Sequence, residues 1–99
     1  MSKRTPRVTE GSNNVFLDLG FAAEEAEHLR IRSGLMLEVR TMIERRELTQ
    51  EQAAALFGVS QPRISDLVRG KIHRFSIDGL VEMLSRAGRK VVVSVPQNA

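Results

Sequence analysis

The chain has 99 residues, one domain's worth, with 41% apolar and 27% charged residues, an ordinary balance for a folded protein rather than a disordered one. Cysteine is absent and only two histidines occur, His28 and His73, which excludes disulfides, thiol nucleophiles and Cys-ligated zinc, so no metal and no cofactor is expected. The net charge is +3 and unevenly spread: residues 15–29 hold Asp18, Glu24, Glu25 and Glu27 without a single Lys or Arg, whereas residues 63–74 set Arg63, Arg69, Lys71 and Arg74 against Asp66 alone. The longest apolar run, residues 53–57, is far short of the roughly 20 residues that span a bilayer. The charged start at residues 1–6 leads into no apolar segment, so neither a signal peptide nor a membrane partner is expected, and the expected compartment is the cytoplasm.

Residues 1–14 are polar, carry Lys3, Arg4 and Arg7, and show no apolar period, which reads as a flexible tail. Val15, Phe16, Leu17, Leu19 and Phe21 are expected to pack on the core ahead of a first helix that starts near Glu24, with Ala22 where a capping Ser or Asp would serve better. Ser33-Gly34 either ends that helix or is a weak point within it. Leu35, Met36, Val39, Met42 and Ile43 form a helical stripe. Thr49 and Gln52 make a capping box for a helix ending at Phe57, and Gly58 stands where a left-handed residue closes it. Ser60 can cap the next helix, in whose first turn Pro62 loses only an amide that had no partner. That helix carries Ile64 and Leu67 and stops near Gly70. Ser76 caps a further helix, Phe75 and Leu80 form its hydrophobic staple, and Gly88 ends it. His28, among Glu25, Glu27 and Arg30, reads as a surface residue. The period then changes: Val91, Val92, Val93, Ser94 and Val95, cut off by Pro96, read as one β-strand. A lone strand needs a partner, either its twin across a dimer axis or a strand of another protein.

Residues 49–67 meet the demands of two helices crossing at a tight turn. Ala54 is small where the second helix passes over the first, Gly58 tolerates positive φ four residues later, Val59 plugs the turn, and Ile64 and Leu67 face the core. An ordinary helical hairpin without a ligand is the alternative. The run Thr49-Gln50-Glu51-Gln52-Ala53-Ala54-Ala55-Leu56-Phe57-Gly58-Val59-Ser60-Gln61-Pro62-Arg63-Ile64-Ser65 resembles the lambda-repressor-like helix-turn-helix family, the Cro/C1 or XRE group. Leu19-Gly20-Phe21, Arg32-Ser33-Gly34-Leu35, Gly70-Lys71-Ile72 and Phe75-Ser76-Ile77-Asp78 are similar to its small branch of HigA-type antitoxins and free-standing XRE regulators. The resemblance covers roughly residues 16–95. It implies an all-α, five-helix domain over residues 15–88, to which the strand reading adds a C-terminal dimerisation strand within residues 89–96. Two positions depart from the pattern: Ala22 replaces the usual Ser or Thr cap, and Pro62 occupies an early position of the second helix and is assigned no base contact.

In such a motif the second helix lies in the major groove, with its N-terminal residues at the base edges. Gln61, Arg63, Asp66 and Arg69 project away from the Ile64/Leu67 face and are the candidate base contacts, since Gln pairs with adenine, Arg with guanine, and Asp accepts from cytosine. Asp66 is alternatively an intrahelical partner of Arg63 or Arg69. Candidate phosphate contacts are Thr49, Gln50 and Ser60 at the two helix starts, Ser65, and Lys71, His73 and Arg74 after the second helix. Ser65 is otherwise a filler, Gln50 a capping residue, and the 71–74 loop a surface turn. No catalytic Ser/His/Asp signature is present, and Gly70-Lys71 lacks the preceding glycine of a phosphate-binding loop, so the chain is not expected to be an enzyme. The expected function is a sequence-specific, autoregulatory repressor of transcription, a homodimer on a palindromic double-stranded operator. The alternative is an antitoxin that neutralises a small basic ribonuclease toxin (HigB/RelE-like) and binds DNA to regulate itself. Single-strand or RNA binding is disfavoured, because Tyr and Trp are absent and the four Phe mostly fit core positions.

Overall fold

The structure, a computed structural model, describes residues 14–96; the tail expected over residues 1–14 lies outside it except for Asn14. The elements in chain order are α1 (Val15–Asp18), α2 (Ala23–Arg45), α3 (Gln50–Phe57), α4 (Gln61–Val68), a 3-10 turn (Ile72–Arg74) and α5 (Ile77–Arg86). The fold is all-helical among the described residues. α2 runs without a break through Ser33-Gly34. Its glycine costs helix propensity, but the flanking apolar stripe binds both halves of the helix to the rest of the protein.

The core lies where the C-terminal half of α2 meets α3, α4 and α5. Val39, Phe57, Ile64, Leu67 and Leu80 are fully enclosed there, with Met36, Met42, Phe75, Met83 and Leu84 around them. The capping signals all appear in place. Thr49 and Gln52 exchange hydrogen bonds, Thr49 Oγ1 accepting from the Gln52 amide at 3.0 Å and Gln52 Oε1 from the Thr49 amide at 2.9 Å. Ser60 and Ser76 accept from the amides of Arg63 and Gly79. Ala22 offers α2 no side-chain cap.

One expectation is corrected. The apolar 15–21 segment does not join the core: it turns into α1, lies against α2, and leaves Val15, Leu17 and Leu19 exposed. A single helical turn cannot direct all of its side chains inward, and here Phe16 and Asn14 are the ones that do. Asn14 accepts from the Phe16 amide and donates to the Ala26 carbonyl, pinning α1 to α2. Val91, Val92, Val93, Ser94 and Val95, expected to pair with a second copy or another protein, form no strand within the single chain among the described residues. A strand forms only with another to exchange backbone hydrogen bonds, and every described element of the chain is helical. Val91 rests against the core, Arg89 pairs with Glu38 of α2 at 3.2 Å, and Val92, Val93 and Val95 stand about 80% exposed.

Candidate nucleic-acid interface

The turn between α3 and α4 is built from the end of α3. Gly58 takes φ +73°, which lets its amide and that of Val59 both return to the Ala54 carbonyl, at 2.9 and 3.0 Å. An L side chain in that left-handed region would crowd its own backbone. Val59 folds against the core, and Ser60 starts α4 within three residues of the end of α3. With Ile64 and Leu67 buried, the opposite side of α4 is left for solvent: Gln61, Pro62 and Arg69 are exposed.

Beyond α4 the chain turns at Gly70 and is held by three side chains. Arg32 of α2 donates from Nη1 to the Ile72 carbonyl at 3.2 Å. Arg63 of α4 donates from Nη1 to the Arg74 carbonyl at 2.8 Å, and its guanidinium lies 4.6 Å from the centre of the Phe75 ring. Asp66, its side chain only 20% exposed, faces Arg74 at 3.4 Å and Lys71 at 3.9 Å. The Lys71 amide also donates to the Asp66 carbonyl at 3.0 Å, so α4 and the turn form one continuous piece.

The four candidate base contacts therefore divide. Gln61 and Arg69 are exposed and without a side-chain partner among the described residues, whereas Arg63 and Asp66 are engaged with the turn. The intrahelical pairing of Asp66 with Arg63 or Arg69 is not what forms; its partners are Lys71 and Arg74. Among the candidate phosphate contacts, Gln50, Lys71, His73 and Arg74 are exposed and Ser65 is half-buried. The Thr49 and Ser60 hydroxyls accept capping bonds, which leaves each a proton to donate outward. Arg32 and Phe75 are the residues whose part was not legible in advance. Phe75 fits a staple by spacing and Arg32 a helix face, and neither pattern contains the turn they support. Among the described residues no His/Asp/Glu cluster could hold a metal ion, and no helix is long and apolar enough to cross a membrane.

No curated protein matches the chain. A solved structure named "Putative XRE Family Transcriptional Regulator" is similar to it, with a TM-score of 0.70 and 28% identity over 75% of this chain and 83% of that one. The family model described as "Helix-turn-helix domain" matches residues 15–96, which takes in every helix of the fold and the segment that follows α5. The chain belongs to the helix-turn-helix domain family.

Proposed function

We propose that the protein is a sequence-specific, double-stranded-DNA-binding regulator of transcription, a repressor that acts as a homodimer on an operator near its own gene. The observation that carries the reading is α4 itself: a short helix set across α3 by the Gly58 turn, with Gln61 and Arg69 exposed and Lys71, His73 and Arg74 in the turn just beyond it. In this reading α4 enters the major groove, Gln61 and Arg69 meet base edges, and Arg63 reaches a base only by leaving Phe75. Lys71, His73 and Arg74 of the turn, with Thr49, Gln50, Ser60 and Ser65, meet phosphates.

The dimer is proposed from the C-terminal segment. Arg89, fixed to Glu38, directs Val92, Val93, Ser94 and Val95 into solvent, and pairing with the same segment of a second copy would satisfy their backbone groups and cover their side chains. Two-fold symmetry then calls for a palindromic operator, with half-sites about one helical turn or 34 Å apart. Selection from a random duplex pool tests both parts of the proposal. An enriched palindrome of that spacing is the expected outcome, and a pool that stays random after repeated rounds contradicts it.

A second reading, an antitoxin that also binds DNA, is favoured by one observation. Val15, Leu17 and Leu19 are exposed beside Asp18, Glu24, Glu25 and Glu27, a surface suited to a small basic protein. Purification from the native host decides it: a stoichiometric basic ribonuclease supports this role, and a protein that elutes alone removes it.

A further inference from the structure

Asp66 occupies a position that electrostatics alone makes costly. It lies on the helix proposed to approach a polyanion, one turn before the exposed Arg69, and brings a negative charge to a segment otherwise rich in cations. The Asp66 carboxylate bonds to no backbone group of the neighbouring turn. That backbone is gripped at the Ile72 carbonyl by Arg32 and at the Arg74 carbonyl by Arg63. Asp66 holds instead the charged ends of two side chains, Lys71 Nζ and Arg74 Nη1, and both are groups a DNA phosphate would need. Both pairs are partly open to water, with side-chain exposures of 43% for Lys71 and 60% for Arg74, so they can be exchanged for another anion.

We propose that Asp66 is a positioning residue: an internal substitute for phosphate that holds Lys71 and Arg74 against α4 until a DNA phosphate displaces it. The inference rests on the reading of α4 as a major-groove helix. Binding to arbitrary sequence draws almost entirely on phosphate contacts, so a carboxylate that occupies two of the cations weakens it directly. A matched site adds base contacts from Gln61 and Arg69, which Asp66 does not touch. The matched complex uses the same phosphate contacts, so the carboxylate lowers affinity for every duplex alike. A base-reading Asp66, accepting from cytosine, would instead raise affinity, and only at the matched site.

The test compares the full-length protein with Asp66→Asn and Asp18→Asn, two variants with the same change in net charge, the second on α1 away from α4. Anisotropy with a mixed-sequence duplex at two salt concentrations gives affinity and salt slope. The expected result is binding tightened roughly three- to tenfold by Asp66→Asn, with a salt slope steeper by about one, and little change from Asp18→Asn. Asp66→Ser provides the same comparison if the amide variant does not fold, as judged by its thermal unfolding. Equal effects from the two aspartates would overturn the proposal, and so would a loss of affinity confined to a matched site. If the wild-type protein binds no duplex at low salt, it is the DNA-binding reading that falls, and the inference with it.

Discussion

Arg63 shows how a residue of suitable chemistry can be spent inside the protein. Its guanidinium stacks on Phe75 and bonds to the Arg74 carbonyl, two contacts that tie α4 to the turn carrying Lys71, His73 and Arg74. A cation over an aromatic face contributes about 0.5–1 kcal/mol at a partly exposed site, and a hydrogen bond from a charged donor somewhat more. Arg63→Ala is therefore expected to lower stability by roughly 1–2 kcal/mol, read from urea unfolding. It should speed amide exchange at residues 72–75 and weaken binding to all duplexes alike. Gln61 makes no such contact. Gln61→Ala is expected to leave stability within about 0.5 kcal/mol of wild type, and to remove roughly 1–3 kcal/mol of discrimination between a matched duplex and a scrambled one. Specificity lost through Arg63 with stability intact would mean that its guanidinium reads a base after all.

Among the elements, two glycines make opposite predictions. Gly34 lies inside α2 with no atom within 4 Å of where a Cβ would stand, so Gly34→Ala is expected to raise stability by about 0.5–1 kcal/mol. Gly58 has φ +73°, and an added Cβ would meet the Arg86 Cδ at 2.6 Å. The Arg86 chain can swing aside, but the backbone strain remains, and Gly58→Ala is expected to cost about 1–2 kcal/mol. Thermal unfolding of the two variants in one buffer checks both signs. The Gly58 turn, the Thr49–Gln52 box and the Ser60 and Ser76 caps were legible in the sequence because each is settled within four or five residues. What was not legible depends on distant parts of the chain. Whether Ser33-Gly34 breaks a helix is decided by packing on both sides of it. Which side of residues 15–21 is covered depends on how α1 meets α2. The site shows the same division: positions on α4 follow from helical period, but the grip of Arg32, Arg63 and Asp66 on the turn joins residues 5 to 40 positions apart. For Val91 and its neighbours, β-branched composition favours a strand, but a strand needs a second one, and every described element of the chain is helical.

At the scale of the whole molecule, charge is sorted between elements. The acidic block sits on α1 and the start of α2, and the basic one on α4 and the turn. On α2 the Arg30 side chain hydrogen-bonds to Glu27 and holds its carboxyl below the usual glutamate range, against a small opposing effect of burial. A carboxyl lowered by folding contributes stability above the ordinary glutamate range, and loses it as pH falls through the lowered value. The Glu27 side chain is about half exposed, so the contribution is under about 1 kcal/mol. Glu27→Gln is expected to be slightly less stable at neutral pH and equal to wild type once both are acidified, as urea midpoints at the two pH values would show. Binding to DNA should weaken steeply with salt, since phosphate contacts by several cations are proposed.

The central claim is that α4 and the turn behind it read double-stranded DNA. It is tested most directly by titrating the protein into a labelled duplex from the region upstream of its own gene, against a scrambled duplex, at two salt concentrations. The account predicts at least about 10³-fold tighter binding to the upstream duplex, falling with salt, and loss of most of that preference in Gln61→Ala. Equally weak binding to both duplexes would contradict it, and would leave the cations of residues 63–74 as an electrostatic surface without a sequence to read.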